Sequence, residues 1–185
     1  MKVVLLGDSI RMIGYGTRVP TLLGDEFNVW QPAENCRFSK YTLWGVSSSW
    51  CKEMEGAEIV HWNNGLWDSF NHGDGLFSSE DEYLSNMCRI ADLLLEKHPR
   101  IIFATTTPVT EQHPNIQNAD IIRLNNLIVP VLKDKGIIIN DLHRLVATDV
   151  DRYIRKDDNI HLTQAGIDAC AEKVADKIRA VAETL

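Results

Sequence analysis

Five short runs rich in Val, Ile and Phe recur along the chain with helical patterns between them: Lys2–Leu6, Glu26–Gln31, Glu58–Trp62, Arg100–Thr105 and Gly136–Ile139. None alternates strictly between apolar and polar residues, as expected of strands buried on both faces. Strand–helix alternation of this kind predicts β-α-β units, a parallel sheet and right-handed crossovers. The expected architecture is therefore α/β: a three-layer α/β/α sandwich on a five-stranded parallel sheet of flavodoxin-like order. At 185 residues without a repeat, linker or low-complexity tract, the chain reads as one domain.

The intervening segments carry their own punctuation. Ser79-Glu80-Asp81-Glu82 reads as a capping box, with Tyr83, Met87, Ile90, Ala91 and Leu94 following at helical spacing. Ile167, Ala171, Val174, Ile178, Val181 and Leu185 draw one apolar stripe along a final helix that Thr163 is placed to cap. Between them, a helix over about 119–135 contains Pro130, which is expected to kink or split it before Gly136 stops it.

The net charge of −7 offers no basic face for nucleic acid, and no apolar run approaches membrane-spanning length. The start of the chain does not read as an export signal, so a cytoplasmic location is expected. Cys36, Cys51, Cys88 and Cys170 share no C-x-x-C spacing and no histidine company; they are expected to be reduced, mostly buried, and not metal ligands.

Three clusters carry chemistry. Gly7-Asp8-Ser9 follows the first apolar run, which puts Ser9 at the carboxyl edge of the sheet, where open α/β folds bind ligands. Ser9 there is at once a helix N-cap and a candidate nucleophile, and Asp8 is expected to shape the turn by accepting local amides. Far along the chain, Asp158-Asn159-Ile160-His161 places a carboxylate three residues before an imidazole, the spacing for one turn. Such a carboxylate fixes the tautomer of a general base. Asp157 is a second candidate for that role, and the other five histidines are expected mostly at the surface. The third cluster, His61-Trp62-Asn63-Asn64-Gly65-Leu66-Trp67-Asp68, ends the central strand with amide side chains that can donate to a developing oxyanion.

Together these clusters resemble the SGNH hydrolases, the GDSL-like lipase/acylhydrolase superfamily. Gly7-Asp8-Ser9-Ile10 is similar to the family's first block, and Asp158-Asn159-Ile160-His161-Leu162-Thr163 with Gly166 to its last. The resemblance implies Ser9 as nucleophile, His161 as base and Asp158 as orienter. The family's third block reads Gly-x-Asn-Asp, whereas Gly65-Leu66-Trp67-Asp68 puts Trp67 at the asparagine position. Asn64, or else Asn63, is then expected to supply the oxyanion donor. A second donor is expected from a backbone amide in residues 35–39, where the family's glycine is missing, and Arg37 is placed either to grip an anionic substrate group or to pair at the surface. The implied function is hydrolysis of small acyl, above all acetyl, esters of a small molecule such as an acylated sugar, with no metal or organic cofactor. Trp62 and Trp67 are candidates to stack on a sugar, and residues 71–79 to border the pocket as a mobile loop. A thioesterase or lysophospholipase on the same scaffold, and an inactive small-ligand-binding module, are the alternatives.

Overall fold

The computed structural model describes residues 1–185. Five strands, β1 (Lys2–Leu6), β2 (Asn28–Trp30), β3 (Ile59–Trp62), β4 (Arg100–Ala104) and β5 (Ile138–Asn140), form one parallel sheet in the order β2-β1-β3-β4-β5. Register pairs Leu6 with Trp62 and Val60 with Ile101, so β1, β3 and β4 end side by side. The order reverses direction at β1, which places the topological switch point, and the crevice it opens, between β1 and β3. Helices cover both faces, giving the three-layer α/β sandwich.

Side-chain alternation divides the core. Val3 and Leu5 face a layer containing α8 (Gln164–Ala182), where Val174 and Ile178 are fully buried. Val4 and Leu6 face the opposite layer, built on α4 (Glu80–Lys97) and α5 (Asn118–Asp134) with Met87, Ile90 and Leu124. The Ser79 capping box is formed, and Thr163 caps α8 by accepting the Gly166 amide at 3.2 Å. A side chain at Gly166 would meet the Tyr153 carbonyl at 2.3 Å, so only glycine lets α8 start this close to the preceding loop.

Two expectations are corrected. Pro130 does not split α5, which runs through it as one element. Pro130 and Asn126, whose carbonyl loses its donor, both lie on the exposed face, where that carbonyl is open to solvent. The histidines are also less superficial than expected: His61 and His98 are buried. All four cysteines are free, with Cys36 and Cys170 buried and Cys51 and Cys88 half-buried. No helix is long and apolar enough to cross a membrane.

Candidate active site

The turn after β1 is built around Asp8 and Arg11. Asp8 Oδ1 accepts the Ile10 amide at 2.9 Å, and its carbonyl accepts the amides of Arg11 and Met12. Residues 10–14 then run as a single wide π-type turn. Ser9 makes no side-chain cap bond, contrary to its expected capping role, and its hydroxyl is free for another partner. Arg11 is 1 % exposed, and its guanidinium donates to the carbonyls of Pro32, Gly7 and Glu34 at 2.8, 3.1 and 2.7 Å. It thereby stitches the turn that carries Ser9 to the loop after β2. An arginine in an acidic chain gives no sequence signal that it is buried, and its part was missed.

The partner of Ser9 comes from a closed loop between Ile154 and Leu162, which bridge each other, with the Arg155 amide donating to the His161 carbonyl at 2.8 Å. Within it, Asp158 Oδ1 accepts the amides of Ile160 and His161 at 3.1 and 3.0 Å. Asn159 sits at φ 65° at the tip and accepts the Thr110 hydroxyl at 2.6 Å, fastening the loop to the segment after β4. His161 Nδ1 lies 3.0 Å from Asp158 Oδ2, and His161 Nε2 lies 2.9 Å from Ser9 Oγ. A neutral imidazole so placed donates from Nδ1 to the carboxylate and accepts the serine hydroxyl at Nε2. Partial burial opposes the Asp158 charge, but the two amides and the imidazole outweigh it and hold the carboxyl at about 2. Asp157, the other candidate, is exposed and pairs with Arg155, which lowers its carboxyl.

The third cluster is arranged differently from expectation. Asn64 is fully buried: its Oδ1 accepts the Trp62 indole N–H at 2.7 Å and its Nδ2 donates to the Arg37 carbonyl at 3.0 Å. Those bonds hold it on the Trp62 side of the sheet. Asn63 follows Leu6 and Trp62 at the sheet edge, its amide donating to the Leu6 carbonyl at 3.1 Å. Alternation puts its side chain with His61 and not with Trp62. That side chain donates to the Ala104 carbonyl at 2.9 Å with one amide hydrogen, which leaves the second. Gly65 has a structural reason to be glycine: at φ 138° a Cβ would meet Thr106 Oγ1 at 2.3 Å. Arg37 does not line the cavity that Ser9 and His161 border and makes no ion pair; its guanidinium lies 4.7 Å above the Tyr41 ring. Trp62 packs edge-on to Phe103 in the core and is unavailable for stacking, while Trp67 is exposed beside Ser9.

Asp68 ties this cluster to the loop after β2. Its buried carboxylate accepts the Ser39 amide at 3.0 Å and the hydroxyls of Ser39 and Ser78 at 2.6 and 2.7 Å. It thus caps α2 (Ser39–Trp44), a role no local spacing announces. Burial pushes its carboxyl up, against those hydrogen bonds. Burial likewise raises Asp8 to about 6 and lowers His61 to about 3. No three His, Cys, Asp or Glu side chains gather in a metal-binding group. Ser9 and His161 open into a cavity of about 590 Å³ bordered by Asn35, Trp67, His72 and Phe77. The 71–79 segment thus contributes two of its walls.

Solved structures share this architecture along nearly the whole chain. The acetyl xylan esterase AlAXEase superposes with a TM-score of 0.80 at 20% identity, covering 96% of this chain and all of that one. A lipase/acylhydrolase from Enterococcus faecalis also reaches 0.80, at 17% identity over 97% and 95% of the two chains. The chain shares the fold of these solved esterases and acylhydrolases. Axe2, an acetylxylan esterase from Geobacillus stearothermophilus, gives 0.75 at 16% identity over 96% and 93%. No protein-family model matches the sequence, and no curated protein does. In this fold the order β2-β1-β3-β4-β5 brings Ser9, from the first turn, against His161, from the last loop.

Proposed function

We propose that the chain is a serine ester hydrolase of the SGNH type, with Ser9 as nucleophile, His161 as general base and acid, and Asp158 as orienter. The observation that carries this reading is the hydrogen-bonded series Ser9–His161–Asp158 at 2.9 and 3.0 Å. As Ser9 Oγ bonds to the ester carbonyl carbon, its proton passes to His161 Nε2. The carbon–alkoxy bond then breaks, and His161 returns the proton to the departing alcohol. Water, deprotonated by the same imidazole, adds to the acyl-enzyme and releases the acid, regenerating the Ser9 hydroxyl.

Three donors are assigned to the oxyanion. The Ser9 amide lies in the first turn, where amides have no intrahelical acceptor. Asn63 contributes its unused amide hydrogen. In the loop after β2 the amides of Cys36, Arg37 and Ser39 are bonded to Gly7, Asn35 and Asp68, which favours the amide of the cavity-lining Asn35. A binding module with no chemistry has no need of a hydroxyl, an imidazole and a carboxylate in this order. The test is labelling by a fluorophosphonate together with hydrolysis of p-nitrophenyl acetate. Ser9→Ala should abolish labelling and lower turnover by on the order of 10³-fold or more; a Ser9→Ala protein that keeps wild-type turnover refutes the assignment.

A further inference from the structure

The cavity beside Ser9 is apolar to a degree that bears on what enters it. Eight of its twelve lining residues are hydrophobic, among them Leu66, Phe70, Ile116 and Ile160. Its two polar walls other than Ser9 and His161 are partly occupied by neighbouring protein groups. Asn35 Oδ1 accepts the Arg37 amide at 2.7 Å, and His72 Nδ1 lies 3.4 Å from the Asn115 side-chain amide. A sugar placed here would lose water from several hydroxyls and find few partners, and each unmatched polar group is costly.

The mouth points the same way. Ile13, Trp67 and Phe77 are 49%, 41% and 55% exposed, and all three border this one cavity. Isolated exposed apolar residues are ordinary, but a ring of them around an opening marks a surface that meets apolar material. At about 590 Å³ the cavity also exceeds what an acetyl group alone fills, and lies within the roughly 300–1,000 Å³ of small-molecule sites.

We infer that the substrate is an ester carrying an apolar group of several carbons, and that this group lies in the cavity between Leu66, Phe77 and Ile160. The bond-breaking step rests on the Ser9 reading above; the selectivity rests on the cavity lining. The apolar group belongs to the acyl side or to the alcohol side of the ester, and substrates varied on one side at a time separate the two.

The experiment measures kcat/KM for p-nitrophenyl acetate, butyrate and hexanoate, for phenyl and 2-naphthyl acetate, and for an acetylated xylo-oligosaccharide. An acyl-side group gives a rise of about fourfold per methylene along the first series. An alcohol-side group gives a preference for naphthyl over phenyl acetate. Phe77→Ser should flatten whichever preference appears, by on the order of tenfold at the larger substrate. Binding is read separately on Ser9→Ala, by tryptophan fluorescence with ethyl acetate and ethyl hexanoate, and by competition with 2-naphthyl acetate. Selective binding of the larger ester without turnover in the wild type supports this inference and refutes the hydrolase reading. Flat series on both sides, equal binding of small and large esters, or the acetylated oligosaccharide as the best substrate overturns it even where Ser9 proves to be the nucleophile.

Discussion

Asp8→Asn is expected to stabilise the protein at neutral and alkaline pH and to leave it unchanged in acid. Asp8 is 1 % exposed; one oxygen accepts the Ile10 amide, and Oδ2 has no partner. Desolvation is the largest influence on its carboxyl, which it drives from 3.8 to about 6 against the opposing pull of the Ile10 amide and Arg11. A carboxyl whose value is higher folded than unfolded binds its proton more tightly in the native state. The resulting stability is fully present below 3.8 and is lost as pH rises through about 6. The difference between 3.8 and about 6, at about 1.4 kcal/mol per pH unit, amounts to about 3 kcal/mol carried as a penalty at pH 8. Asparagine keeps an oxygen for the Ile10 amide and stays neutral at every pH, so it removes that penalty. For a domain of this size the gain corresponds to about 6–12 °C in Tm. Thermal melts followed by circular dichroism at pH 8, 6 and 4 measure it. The variant should melt well above the wild type at pH 8, and the gap should close towards pH 4. A gap that is absent at pH 8, or the same at all three pH values, refutes the reasoning.

Asp158→Asn should lower kcat by on the order of 10³–10⁴-fold by spoiling the tautomer and orientation of His161, whereas Asp157→Asn, at the exposed Arg155 pair, should change it less than about twofold. The two neighbouring asparagines should separate by assay. Asn63→Ala lowers kcat by on the order of 10²–10³-fold, while Asn64→Ala strands the Trp62 indole N–H and costs on the order of 2 kcal/mol in urea denaturation. Asp68→Ala leaves the Ser39 amide and two serine hydroxyls without their acceptor; a loss of about 2–4 kcal/mol in the same denaturation assay is expected.

The strands were legible because each is a compact apolar run flanked by turn residues, and β1 is found at its expected bounds; β2 and β5 are shorter than read, their pairing with β1 and β4 covering only three residues each. Ser9, Asp158 and His161 were legible because local spacing already carries much of their geometry: one turn brings Asp158 to His161, and the end of β1 brings Ser9 to the sheet edge. The supporting residues were not, because their contacts are long-range. Asp68 reaches Ser39 across 29 residues and Arg11 reaches Glu34 across 23, and neither pairing leaves a periodic trace. The choice between Asn63 and Asn64 was illegible for the opposite reason. Asn63 and Asn64 are adjacent and chemically identical, and only the side of the sheet each takes, fixed by the register of β3, tells them apart.

The sequence separation of 152 between Ser9 and His161 also sets an order of events during synthesis. The hydroxyl leaves the ribosome before the imidazole, by about 8–30 s at 5–20 residues per second. On the proposed mechanism, a nascent chain holding only the first four strands lacks both the His161 proton acceptor and the Asp158 carboxylate, so it should not turn over an ester. Onset of turnover would therefore act as a built-in clock for translation, ticking only once residue 161 has docked.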